Sequence, residues 1–149
     1  MAPWCERIIA VAETTDAYRD LGLTTIADPQ PHLGPVGGLC AALGDGQEPW
    51  LLVAPCDLVR PQPGWFTALV AAAAPGSQAA AIHDGRWQPL PCLLNRRACA
   101  QLSLSEGGSL HGVLDRLAAT RLARPPEWPT QLSANTRTDL DKLLARPAS

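Results

Sequence analysis

A chain of 149 residues is the size of one globular domain, and its 46% hydrophobic content is enough to bury a core. With a formal net charge of −2 and Lys142 as the sole lysine, it has no basic run to lie along a phosphate backbone, which argues against a nucleic-acid partner. No stretch reaches the ~20 apolar residues that span a membrane, and residues 1–12 lack a basic start followed by an apolar signal core, so a cytoplasmic location is expected.

In chain order, Arg7 to Ala12 reads as a strand, Asp16 to Leu21 as a short helix stopped by Gly22, and Leu23 to Ala27 as a second strand. Asp28 to Gly34 holds two prolines and a terminal glycine and must be a loop. Pro35 then opens a helix running to about Leu43, and Asp45-Gly46 turns the chain into the apolar run Trp50-Leu51-Leu52-Val53-Ala54. That run suits a strand buried on both faces, although a run so short also fits buried helix. Pro55 cannot donate to a ladder, so the strand ends there and leaves Cys56 and Asp57 at its carboxyl end, where open α/β sheets bind ligands.

Trp65 to Ala74 is helical in pattern, Ala79 to His83 is a strand, and Asp84-Gly85 is a tight turn into a strand over Arg86 to Leu94. Helices are expected over Arg97 to Leu104 and Leu110 to Thr120, on either side of Gly107-Gly108. Arg124 to Pro129 is extended. Thr136 and Asp139 then form a capping box that opens a last helix ending near Ala145. Strands alternating with helices, with one hairpin, define a single three-layer α/β domain over residues 1–149 with a mostly parallel sheet.

The five cysteines, Cys5, Cys40, Cys56, Cys92 and Cys99, are odd in number and contain no C-x-x-C pair, so buried free thiols in a reducing compartment are expected rather than zinc or disulfides. The scattered His32, His83 and His111 argue against a three-His metal site, and the five tryptophans read as packing residues.

Three stretches carry residues that chemistry could use. In Asp28 to Gly38, an acid at a strand end precedes Gly34-Pro35-Val36-Gly37-Gly38 at a helix start, which suits close approach to a nucleotide or simply a turn and a proline-started helix. In Ala54-Pro55-Cys56-Asp57, the carboxylate can hold Mg²⁺ that also meets substrate phosphates, or can serve a turn. In Ser133-Ala134-Asn135-Thr136, Asn135 can hydrogen-bond a polar heterocycle or stand in a turn before the helix.

Together and in this order, GPVGG after Asp28, the apolar strand running into PCD, HDG followed by QPLPCLLNRRA, and the late SANTRTDL resemble the molybdenum cofactor guanylyltransferases among the MobA-like nucleotidyltransferases. The resemblance implies a Rossmann-like nucleotidyltransferase fold that joins GMP from GTP to molybdopterin with Mg²⁺ and releases pyrophosphate. By resemblance Asp57 is the catalytic, metal-binding carboxylate; Asp28, Gly34 and Gly37 lie on the nucleotide side; and Asn135 lies on the pterin side. Molybdoenzymes or cofactor-handling proteins are implied as further partners.

The chain departs from the family pattern at its start. The opening strand, the loop of form L-A-G-G-x-x-x-R-M-G-x-D-K and the following helix, roughly 30 residues of a βα unit, have no counterpart, and a longer native protein is the expectation. Glu13 and Ser133 stand where the family tends to have asparagines. In the family topology the absent strand lies between the strands at Arg7–Ala12 and Trp50–Ala54, so both are expected to show unpaired inner edges. Two other readings stay open: a non-catalytic module that binds molybdopterin or a partner, and a sugar-phosphate nucleotidyltransferase.

Overall fold

The computed structural model describes residues 2–30, 33–102, 104, 108–128, 134 and 136–145. Strands β1 (Ile9–Ala12) and β2 (Thr24–Ala27) pair in parallel, with Ile9 opposite Thr24 and Ala12 opposite Ala27. The helix expected over Asp16 to Leu21 is instead a set of turns ending in a 3-10 turn at Arg19–Leu21, closed by Gly22 at φ 66°. Leu21 is 69% exposed, so this segment has no apolar face to bury, and so few residues cannot sustain an α-helix by propensity alone.

Helix α1 (Pro35–Gly44) starts on its proline and buries Val36 and Leu39. Its last carbonyls would be orphaned, but Arg96 donates to Ala42 O at 3.1 Å, Leu43 O at 2.5 Å and Asp45 O at 3.0 Å. A guanidinium there also faces the negative end of the helix dipole. Arg96 further donates to Glu48 O at 2.8 Å, tying the end of α1 to the approach to strand β3 (Trp50–Val53).

The remaining elements are α2 (Pro63–Ala71), β4 (Ala79–His83), β5 (Trp87–Asn95), α3 (Arg96–Ala100), α4 (Leu110–Arg116), β6 (Thr120–Leu122) and α5 (Arg137–Ala145). A second sheet has the order β3-β5-β4-β6. Strand β5 is antiparallel to both neighbours and β4 pairs with β6 in parallel, so β3, β4 and β6 point one way and the hairpin strand β5 the other. Two prolines sit in this central strand without breaking it. The register jumps from Ala81 opposite Cys92 to Ile82 opposite Gln88, leaving Pro89, Leu90 and Pro91 in a bulge outside the β4 pairing.

Alternation along the strands sends side chains to two apolar layers. Ala79, Ala81, Cys92 and Leu94 pack with residues of α1, α3 and α4, while Ala80 and Leu93 pack with Leu69 of α2. The result is the expected three-layer α/β arrangement. Helix α4 is shorter than predicted. It ends at Arg116, Ala118 takes φ 46°, and the chain enters β6, a strand absent from the sequence reading, whose helix ends at the first residue of β6, Thr120. Leu117 is the last residue of that helical apolar stripe to be buried.

Strands β1 and β3 do not pair with each other. Between their amino-terminal halves lies a groove of about 330 Å³ lined by Trp4, Ile9, Trp50, Leu52 and Val70. Because its inner edge, toward β1, is unpaired among the described residues as expected, β3 is only half-buried along its length, not buried on both faces as its apolar run suggested. Arg7 holds the two strand starts together through Glu48 at 3.0 Å and Asp45 at 2.6 Å.

Candidate functional site

The strand ending at Val53 is followed by Ala54 and Pro55, and Asp57 lies half-buried in the turn at the carboxyl end of β3. The amide of Ala134 donates to Asp57 O at 3.1 Å, which brings Ala134 against that turn. A cleft of about 540 Å³ opens between them, lined by Asp57, Arg60, Ala134, Thr136, Arg137 and Leu140 among others. The floor of the turn is apolar: Leu58 packs against Trp65, Ile82 and Trp128.

The far wall is set by the capping box. Thr136 Oγ1 accepts from the Asp139 amide at 3.1 Å and donates to the Asp139 carboxylate at 2.7 Å, starting α5 at Arg137 as the sequence indicated. Arg137 Nε pairs with Asp141 at 3.3 Å. Asn135, placed by resemblance on the pterin side, lies outside the described residues, as do His32 and Ser133.

Asp28 lies at the carboxyl end of β2, its amide donating to Ala12 O at 2.8 Å. Its carboxylate accepts from the Gln30 amide at 2.8 Å and rests against the first turn of α1, where the helix dipole favours a negative charge. Gly34 sits just before that helix at φ 57°, a conformation that favours glycine. Gly37 is needed for space. A Cβ there would stand 2.5 Å from Gln30 O and 2.8 Å from Asp28 Oδ2. The close approach that this glycine permits is thus between α1 and the chain's own 28–30 loop. Glu13 is exposed just after β1.

Asp28, Gly34 and Gly37 therefore form one group, and Asp57 with Ala134, Thr136 and Arg137 another. The two arginines at Asp57 were not singled out in the sequence. The available signals were an Arg-Pro step soon after the PCD turn and an arginine at the first position of a capped helix.

Among the described residues no three His, Cys, Asp or Glu side chains gather. A single half-buried carboxylate in an open cleft nevertheless fits Mg²⁺, which commonly takes one or two protein carboxylates and fills its shell with water and phosphate oxygens. The cysteine expectation needs correction: Cys92 and Cys99 are buried, but Cys5 and Cys40 are half-buried and Cys56 is exposed. Cys56 lies in the turn after β3 rather than in the sheet, and its side chain is exposed.

A parallel strand pair at the start, a mixed sheet between helical layers, and an acid at the carboxyl end of a strand define a Rossmann-like nucleotidyltransferase domain. The MobA-like NTP transferase domain model matches residues 1–121, and the chain belongs to that family. It is also similar to a probable molybdenum cofactor guanylyltransferase of Chloroflexus aggregans (strain MD-66 / DSM 9485), 31% identical over 108 residues that make up 68% of this chain and 50% of the relative. The chain thus spans about half the length of that curated relative.

Proposed function

We propose that this protein transfers GMP from GTP to molybdopterin, working as a single domain in the cytoplasm with Mg²⁺. The observation that carries the reading is the position of Asp57: at the carboxyl end of β3, in a cleft lined on its other side by Ala134, Thr136 and Arg137. The family match and the named relative support the substrate class.

In the balanced reaction, an oxygen of the acceptor's phosphate forms a bond to the α-phosphorus of GTP. The bond from that phosphorus to the bridging oxygen breaks, and pyrophosphate leaves with the electron pair. Asp57 would hold the ion, whose charge offsets that of the phosphoryl oxygens and the leaving group. Docking of Ala134 on Asp57 O fixes the turn that presents this carboxylate.

The test is to incubate the chain with GTP, Mg²⁺ and molybdopterin and to follow pyrophosphate together with the GMP-linked pterin. Formation of both supports the assignment. Product only with a sugar phosphate would move the chain to the sugar-nucleotide branch, and pterin binding without turnover would make it a binding module.

A further inference from the structure

We infer that the groove between β1 and β3 is a slot for one added β-strand, an extended segment of consecutive apolar residues carried by another polypeptide. The two strands start side by side, because Arg7, just before β1, pairs with Glu48, just before β3, at 3.0 Å. Two side chains end to end span the gap there, not a backbone ladder.

Two hydrogen bonds fix which way the strand backbones face. Ala12 O accepts from the Asp28 amide at 2.8 Å, so Ala12 and, two residues back, Ala10 turn their peptide groups toward β2. Pro49 O accepts from the Arg96 amide at 2.9 Å, and the same alternation turns Leu51 and Val53 toward β5. Ile9 and Val11 on one side, and Trp50 and Leu52 on the other, therefore aim their N–H and C=O groups to the groove side. Those groups have no strand partner among the described residues. An inserted strand satisfies two such facing rows, one along each of its edges.

The helix layers set the chemistry of the occupant. Leu51 and Val53 pack with the α1 layer, and α1 passes over Val11 at Gly38. Trp50 and Leu52 pack with Leu69 and Ala73 on the α2 side. A strand in the slot meets an apolar layer on each face, so it needs apolar side chains at every position. The charged residues of the groove gather at its starting end, where Glu48 engages both Arg7 and Arg96, so a charged small ligand has no match along the rest. The outer edges of a second copy do not fit either: β2 carries Thr24 and Thr25, and β6 carries Thr120 and Arg121.

The probe is a capped peptide, Lys-Ser-Val-Ile-Val-Leu-Val-Ser-Lys, titrated into the full chain by calorimetry beside a control whose second and fourth apolar residues are threonine. The expected result is saturable binding, a melting temperature that rises by mass action, and slower hydrogen exchange at the amides of Ile9, Val11, Trp50 and Leu52. The threonine control should bind at least about tenfold more weakly. Val70→Trp puts bulk into the groove and should weaken binding about tenfold or more, whereas Ala68→Trp, on the exposed face of α2, binds as the parent does. Should Val70→Trp fail to fold, the exchange pattern of the parent decides alone. A folded chain that does not bind the peptide, or binding that leaves those four amides unprotected, overturns the inference. So does equal affinity for the two peptides, or undiminished binding in a folded Val70→Trp. A peptide-free chain that already protects those amides and sediments as a dimer gives the groove to a second copy and overturns it as well.

Discussion

The backbone amide of Ala134 donates to the carbonyl oxygen of Asp57 at 3.1 Å, joining two segments far apart in the chain at one cleft. Ala134→Pro removes the donor and should cost about 1 kcal/mol or more of stability, while Ala134→Gly keeps it. Chemical denaturation of the two variants checks this. If the contact positions the cleft, Ala134→Pro also weakens binding of Mg²⁺ and GTP, whereas Ala134→Gly binds as the parent does.

Gly37 and Gly38 are neighbours with opposite demands. A Cβ at Gly37 meets Gln30 O at 2.5 Å, so Gly37→Ala should destabilise by about 1–3 kcal/mol through overpacking. At Gly38 the nearest atom is Val11 Cγ1 at 3.8 Å, an ordinary contact, and Gly38→Ala should stabilise by up to about 1 kcal/mol through helix propensity. Denaturation midpoints of the pair decide the matter, and similar losses in both would contradict the geometry.

Glu48 links charge to stability at the start of β3. Hydrogen bonding from Arg7 lowers its pKa from the ordinary 4.5 to about 2. An acid depressed on folding contributes stability above its unfolded pKa and loses it as pH falls through the folded one. Thermal midpoints should therefore fall between about pH 4.5 and pH 2, and less steeply in Glu48→Gln. Asp84, lowered by Gln88 and Arg124, adds to the background slope in both proteins.

Thiol chemistry should sort the cysteines by burial. Cys56 is exposed, whereas burial pushes Cys92 up to about 12 and Cys99 to about 11. Because the thiolate is the reactive form, an aromatic disulfide reagent at about pH 8 should label Cys56 first and leave Cys92 and Cys99 intact until the chain unfolds. Mass spectrometry of the labelled peptides reads this out, and loss of the fast phase in Cys56→Ala confirms it.

The strands and helices with apolar periodicity and a proline or glycine at their ends were legible in the sequence: α1 from Pro35, the turn at Gly85, and the capping box of α5. Strand β6 was not. It has only three residues, two of them exposed, and follows a helix without a proline or glycine between. The helix expected at Asp16 to Leu21 failed because propensity without a surface to pack on does not hold six residues. At the candidate site, Asp57 could be read from the proline that ends its strand. Arg60 and Arg137 could not, because what brings them together is the docking of residue 134 on residue 57, a long-range contact that local pattern does not encode.

The most direct test of the central claim is calorimetric titration of GTP into the purified chain, with and without Mg²⁺, alongside Asp57→Asn. The account predicts metal-dependent binding that weakens at least about tenfold in the variant, since the amide keeps the shape of the turn but not its charge. Binding of equal strength in Asp57→Asn, or binding indifferent to Mg²⁺, would contradict it.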